Sequence, residues 1–372
     1  MPDFIPVNEP VLDGNEKRYL NECIDTGWIS SEGPFIREFE EKFASKVGRK
    51  HGIAVCNGSA ALDAAAAALY LKKGDEVIMP TFTIISCASA VSRLGAVPVL
   101  TDCDPATWNM NVSQIEGRIT DRTRAIMAVH IYGLPVDMDP LLEVAAKHRL
   151  DVIEDAAEMI GQTYRGKPCG SFGRISTFSF YPNKHVTTGE GGMVVTDDDA
   201  LAERCRSLRN LTMKASRRFV HDELGWNFRM TNLQAAVGLA QLERLDEFVP
   251  RKRRLFSRYT ELLAGVEVLQ LPVAKTDYAT NINWVFGVVI RDDVPFDADE
   301  AIRRLAEKGI GTRPFFWPMH EQPVYRSMGL FADESYPHSE RLARRGFYLP
   351  SGLALTDQQI ERVAAAVREV FA

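Results

Sequence analysis

Cys-x-x-Cys pairs are missing from this sequence. Its six cysteines, at positions 23, 56, 87, 103, 169 and 205, are too widely and irregularly spaced for such metal or redox pairs. They read as reduced, mostly structural thiols, and no metal centre is expected. Neither G-x-G-x-x-G nor G-x-x-x-x-G-K-[ST] occurs, which removes the usual sequence evidence for dinucleotide and P-loop sites. Long apolar runs are lacking too. The longest small-apolar stretch, Ala60 to Leu71, contains Asp63 and is too short to span a bilayer. Met1 to Pro10 carries acids and prolines where a secretory leader has a basic and then an apolar region. Positive charge is in deficit, with 44 Lys and Arg against 50 Asp and Glu and a net charge of -6. Duplex nucleic acid held through its phosphates calls for the opposite balance. No fixed-period repeat appears, so solenoids fall away. A cytoplasmic protein with neither nucleic acid nor membrane as partner is expected.

What is present is ordinary globular composition, 45% hydrophobic and 25% charged over 372 residues. At roughly 150 residues per domain, this length suits about two or three domains. Short Val- and Ile-rich runs at Gly52–Val55, Glu76–Met79, Val97–Leu100, Ala125–His130 and Asp151–Ile153 are mostly separated by helix-length segments such as Ala60–Leu71 and Pro140–His148. That rhythm predicts an α/β layer with a mostly parallel sheet. Ile175–Phe180 and Gly192–Thr196 look like neighbouring strands joined across a loop. Downstream, Ala200–Leu211, Thr231–Phe248, Ala298–Lys308 and Asp357–Phe371 read as helices and Trp284–Ile290 as a strand. A boundary near Arg251–Phe256 gives a large α/β domain over 12–250 and a smaller α+β domain over 251–372.

Three segments carry chemistry. Lys184 follows the strand-like run Phe178-Ser179-Phe180 and precedes Thr187-Thr188-Gly189-Glu190-Gly191-Gly192. Desolvation there would lower its pKa and free the amine to attack a carbonyl, making it a Schiff-base candidate, against the alternative of a solvated surface lysine. Asp155 ends the buried-type run Val152-Ile153-Glu154, at the strand end where open α/β sheets bind ligands. It suits a protonated ring nitrogen, or equally the cap of a following helix. Cys56-Asn57-Gly58-Ser59-Ala60-Ala61 is a strand-to-helix turn whose small residues let backbone N–H groups approach a phosphate, although any βα turn can contain Gly-Ser.

Together with Pro80-Thr81-Phe82-Thr83, Glu154-Asp155-Ala156-Ala157-Glu158 and Gly225-Trp226-Asn227-Phe228-Arg229-Met230-Thr231-Asn232, these segments resemble the DegT/DnrJ/EryC1/StrS aminotransferases from about Asp13 to the C-terminal helix. The resemblance implies a fold-type I enzyme dependent on pyridoxal 5'-phosphate, with pyridoxamine 5'-phosphate as intermediate. It implies that Lys184 holds the cofactor and shuttles the proton, that Asp155 pairs with the pyridine nitrogen and that Glu158 approaches the ring hydroxyl. Ser59, Ala60 and Ser179 would bind the phosphate, and Asn227 would reach the phosphate of a neighbouring subunit in a homodimer, against the alternative of a turn residue. The position matching Ile84 usually carries an aromatic over the ring; here the cover is aliphatic. The implied reaction carries an amino group from L-glutamate to the C4 ketone of a nucleotide-linked 4-keto-6-deoxy sugar, with GDP-linked 4-keto-6-deoxymannose favoured by Trp28-Ile29-Ser30-Ser31, Thr187-Thr188-Gly189-Glu190-Gly191-Gly192 and Pro318-Met319-His320.

Trp28, Ile29, Ser30 and His320 are the candidates for the substrate end, against ordinary packing or a structural histidine. Arg204, Arg206, Arg209, Lys214, Arg217 and Arg218 could meet a pyrophosphate or simply line a solvated helix face. Related dehydratases replace the Schiff-base lysine with histidine; here Lys184 is kept and His185 follows it, which favours transamination. A same-fold 3-aminotransferase or sugar dehydratase, and a ligand-binding regulatory protein without turnover, remain as alternatives.

Overall fold

The Val- and Ile-rich runs become strands of one sheet. A computed structural model describes residues 4–214, 216–217 and 219–372; Met1–Asp3 of the N-terminal segment and Arg218 of the basic cluster lie outside the described residues. In chain order the strands are β1 (His51–Val55), β2 (Glu76–Pro80), β3 (Val97–Thr101), β4 (Thr123–Val129) and β5 (Asp151–Asp155). A separate hairpin of β6 (Thr163–Tyr164) and β7 (Lys167–Pro168) follows, then β8 (Ile175–Ser179) and β9 (Gly192–Thr196).

Seven of these form one sheet in the order β1-β9-β8-β5-β4-β2-β3. Only β9 runs against its neighbours, β1 and β8; the other pairs are parallel. All five residues of β2 and of β9 are buried, as expected of strands covered on both faces. Parallel strands with helical returns put β1, β2, β4, β5 and β8 end to end on one edge, and the site gathers there. The return after β1 is the helix Gly58–Ala68, whose alanines are small enough to be buried from Ala60 through Ala68.

A second, antiparallel sheet is built from β10 (Leu269–Gln270), β11 (Phe286–Ile290), β12 (Arg313–Pro314) and β13 (Gly346–Leu349), in the order β10-β11-β13-β12. Helices Ala298–Glu307 and Asp357–Phe371 pack on it through Leu305, Ile360 and Val363. The latter begins at a reciprocal Thr356–Gln359 capping box, which satisfies two of the N–H groups a helix start leaves without partners.

The segment Thr231–Phe248 is not one helix. It divides into Asn232–Leu242 and Leu245–Leu263. Ala235, Ala236, Leu239, Leu242 and Leu245 pack with Phe39 beneath the large sheet, and further along the second helix Leu255, Phe256 and Tyr259 pack with Phe286 of the small one. The 250/251 division falls inside the second of these helices.

Candidate active site

A cavity of about 500 Å³ opens at the carboxyl edge of the large sheet. Each strand delivers its residues just past its end: Asn57, Gly58 and Ser59 after β1, Thr83, Ile84 and Ser86 after β2, His130 after β4, and Asp155 and Glu158 at and after β5. Ser179 and Lys184 come from β8 and its turn, and Trp284, Phe316 and Tyr348 close the far wall.

Lys184 is held by a turn in which its N–H donates to Tyr181 O at 2.9 Å. Its side chain is only 10% exposed, with Nζ 3.7 Å from Glu158 Oε1 and 3.7 Å from the centroid of the Trp284 ring. The solvated-surface alternative therefore fails. Burial pulls the amine below its usual pKa, while Glu158 and Asp155 act against that shift.

Asp155 is 3% exposed. One carboxylate oxygen accepts the Ala157 N–H at 3.1 Å and the other the Cys87 thiol at 3.2 Å. No helix follows it: the Met159 N–H closes a turn onto Ala156 O, so the helix-cap alternative is not realised. Glu158 Oε2 accepts the Tyr132 N–H at 2.6 Å. Burial raises its carboxyl to about 7, with Lys184 opposing the rise. His130, beside them, accepts the Val136 N–H at Nδ1, 3.0 Å away, which leaves Nε2 to donate to Glu154 at 3.0 Å.

At the other end of the cavity Ser59 and Ser86 share a hydroxyl contact of 2.7 Å. Ser179 Oγ accepts the Tyr181 N–H at 3.4 Å. A Cβ on Gly58 would stand 2.8 Å from Ser179 Cβ, so only glycine lets the β1 turn approach β8 this closely. Ala60 does not line the cavity; its N–H is taken by the capping Asn57 Oδ1 at 2.8 Å. Ile84 stands on the rim, 43% exposed, capping the helix Ile85–Ser92.

The substrate-end candidates do not gather here. His320 is 1% exposed; Nδ1 meets Thr81 Oγ1 at 2.9 Å and Nε2 meets Glu340 at 3.1 Å. Both ring nitrogens are thus engaged inside the fold, and of its segment it is Phe316 that lines the cavity. Trp28 and Ile29 are about half exposed, at 49% and 48%, and Ser30 O accepts the Asn232 N–H at 2.7 Å. Asn227 is exposed and pairs through its backbone with Asn210. Of the basic cluster, Arg204 pairs with Glu223, Arg209 with Glu40 and Lys214 with Asp222. Arg206, Arg209 and Lys214 border a second cavity with Arg229.

Sequence reading missed Ser86, His130, Thr177, Asn183 and Trp284. Ser86 lies just past the Pro80–Thr83 motif and could have been found there. Trp284 lies on a distant segment, with no local signal linking it to Lys184.

Residues 10–368 match the model of the DegT/DnrJ/EryC1/StrS aminotransferase family. The chain belongs to the DegT/DnrJ/EryC1/StrS aminotransferase family. It is 47% identical over 369 residues to GDP-perosamine synthase of Caulobacter vibrioides, covering 99% of this chain and 98% of that one. Against GDP-perosamine synthase of Escherichia coli O157:H7 it is 42% identical over 368 residues, covering 99% of each. Among solved structures, DesV of S. venezuelae in complex with a ketimine intermediate superposes with a TM-score of 0.88 at 36% identity, over 95% of this chain and 94% of that one.

This DegT/DnrJ/EryC1/StrS member has the fold-type I architecture and depends on pyridoxal phosphate. Its residues fit that group. A desolvated lysine amine faces an aldehyde's chemistry, an aspartate faces a ring cation's, and the hydroxyls of Ser59, Ser86 and Ser179 offer donors for a phosphate. Two buried polar atoms on the cavity wall, Thr177 Oγ1 and Asn183 Oδ1, have no partner among the described residues. That is the condition of groups that a ligand satisfies.

Proposed function

We propose that this aminotransferase moves an amino group from L-glutamate to the C4 ketone of GDP-linked 4-keto-6-deoxymannose, forming GDP-perosamine. The observation that carries the reading is the near full-length match, at 47% and 42% identity, to two GDP-perosamine synthases. Bound pyridoxal phosphate supplies the carbonyl that receives the amine and a ring that accepts electron density.

The chain's own residues do the rest. Asp155 would pair with the ring nitrogen, its carboxylate oriented by the Ala157 N–H and the Cys87 thiol. Lys184, desolvated beside Glu158, holds the cofactor and then takes and returns the proton at Nζ. Glu158, whose carboxyl burial raises, would approach the ring hydroxyl. Ser59, Ser179 and the N–H groups of the Gly58–Ala60 turn hold the phosphate, and Ile84 packs over the ring. For Ala60 this requires its N–H to leave Asn57. Trp28, Ile29 and Ser30 serve the substrate end.

The working unit in this reading is a cytoplasmic homodimer in which Asn227 crosses to the partner's phosphate site, serving O-antigen synthesis in lipopolysaccharide. Among the described residues no helix is long and apolar enough to cross a membrane. The exposed Trp28, Ile29 and Leu224 suit a covered interface. Residues 12–250 form the cofactor-binding domain and 251–372 the smaller one. Incubation with glutamate and a panel of GDP-, dTDP- and UDP-linked 4-keto sugars, followed by NMR of the products, tests the reading. A C4 amino sugar from the GDP compound is expected; turnover of a dTDP or UDP compound alone overturns it.

A further inference from the structure

We infer that Lys252 is a positioning residue for Lys184, acting through Trp284. The inference rests on the reading of Lys184 as the reactive amine, but it concerns how that amine is covered in the folded chain.

Lys252 lies on the helix Leu245–Leu263 and is 2% exposed. No carboxylate pairs with it among the described residues. Its Nζ donates to Trp284 O at 2.7 Å and to Ser351 O. These two residues stand opposite each other just beyond the last rungs of the β11–β13 pair, where Phe286 faces Leu349. The amine thus clasps the two strand ends where they leave the small sheet. Burial alone brings Lys252 down to about 7, and both protonation states retain the two N–H donors that the carbonyls need.

Trp284 is the link to the site. Its backbone carbonyl is held by Lys252, and its Nε1–H donates to Asn183 O at 2.7 Å, on the residue before Lys184. Its ring face lies 3.7 Å from Lys184 Nζ, where it both covers the amine and favours its ammonium form. A methionine at 252 would fill similar space but leave two buried carbonyls without a donor. The strand end carrying Trp284 would then be free to swing, and the indole with it.

Competitive labelling with acetic anhydride of the full-length chain freed of cofactor, followed by peptide mapping, reads the reactivity of each lysine. Lys252→Met should raise the labelling rate of Lys184 by about three-fold or more, the size of a lost cation–π contact. The same change made on Trp284→Ala should leave the Lys184 rate unaltered, because the ring that transmits the effect is gone. Lys252→Gln, which keeps amide donors, provides a second variant and should show a smaller rise. Tyr259→Phe removes a different bond at the same sheet end, from Tyr259 OH to Pro350 O at 2.9 Å, and should not move Lys184. An unchanged or lower Lys184 rate in both Lys252 variants overturns the inference, as does an equal rise with and without the Trp284 ring or an equal rise in Tyr259→Phe. Failure of Lys184 to hold the cofactor would show separately, in the location of the cofactor rather than in these ratios.

Discussion

Glu154 and Glu158 are both buried around the end of β5, at 0% and 7% exposure, and their surroundings hold them in opposite states. Glu154 accepts from His130, Gly170, Phe172, Gly173 and Ser176. Burial works to raise its carboxyl, but His130 and the N–H groups of Gly170 and Phe172 bring it down to about 2. Glu158 has the Tyr132 N–H and an amine 3.7 Å away, and burial lifts it to about 7. Similar burial with different neighbours moves the two carboxyls in opposite directions. A carboxylate saturated with donors is scaffold; one short of donors can exchange a proton near neutrality. The same division separates the His130 side of the strand end from the Lys184 side.

The sharpest break of that division comes from Lys184→Ala, which should lower multiple turnover by about 10²–10⁴-fold or more while the circular dichroism spectrum stays unchanged. Full activity in that variant would move the chemistry elsewhere. Next is Glu154→Ala, which strips the acceptor from His130 and from the N–H groups around Gly170. It should reduce unfolding free energy in urea by about 3–5 kcal/mol; a change under about 1 kcal/mol would remove Glu154 from the scaffold.

Glu158→Gln sharpens the contrast through pH. Since the carboxyl is raised from its ordinary 4.5 to about 7, the native chain keeps a proton that the unfolded chain has lost between those values. The stabilisation of the protonated form is complete below about 4.5 and disappears as pH rises through about 7. The stability of the unsubstituted chain relative to Glu158→Gln should therefore fall from pH 4.5 to 7 and level off above, in thermal melts of the cofactor-free chain. A difference that rises with pH would place Glu158 in the same class as Glu154. The smallest effect is expected from Cys87→Ala, which removes the thiol donor to Asp155. It should lower stability by about 1–3 kcal/mol and activity only a few-fold, read from kcat.

Much of the fold was legible because β-type runs and helix-length connections alternate locally, and the motif around Lys184 and Asp155 lies at strand ends. Asn57 shows what spacing alone could have added, since an asparagine three residues before Ala60 is the usual N-cap arrangement and explains why that N–H is taken. His320 shows the opposite. Nothing near it in sequence reveals that Thr81 and Glu340 occupy both its nitrogens. Trp284 and Lys252 were hidden for the same reason, because contacts across the two sheets leave no periodic trace. The helix break between Leu242 and Leu245 was invisible because apolar residues continue across it, with Leu242 and Leu245 buried in one core.

Borohydride reduction of the pyridoxal phosphate-loaded chain, followed by peptide mapping, tests the assignment of Lys184 most directly. The cofactor should be found fixed on the peptide carrying Lys184; finding it on Lys252 or any other lysine, or on none, contradicts the assignment.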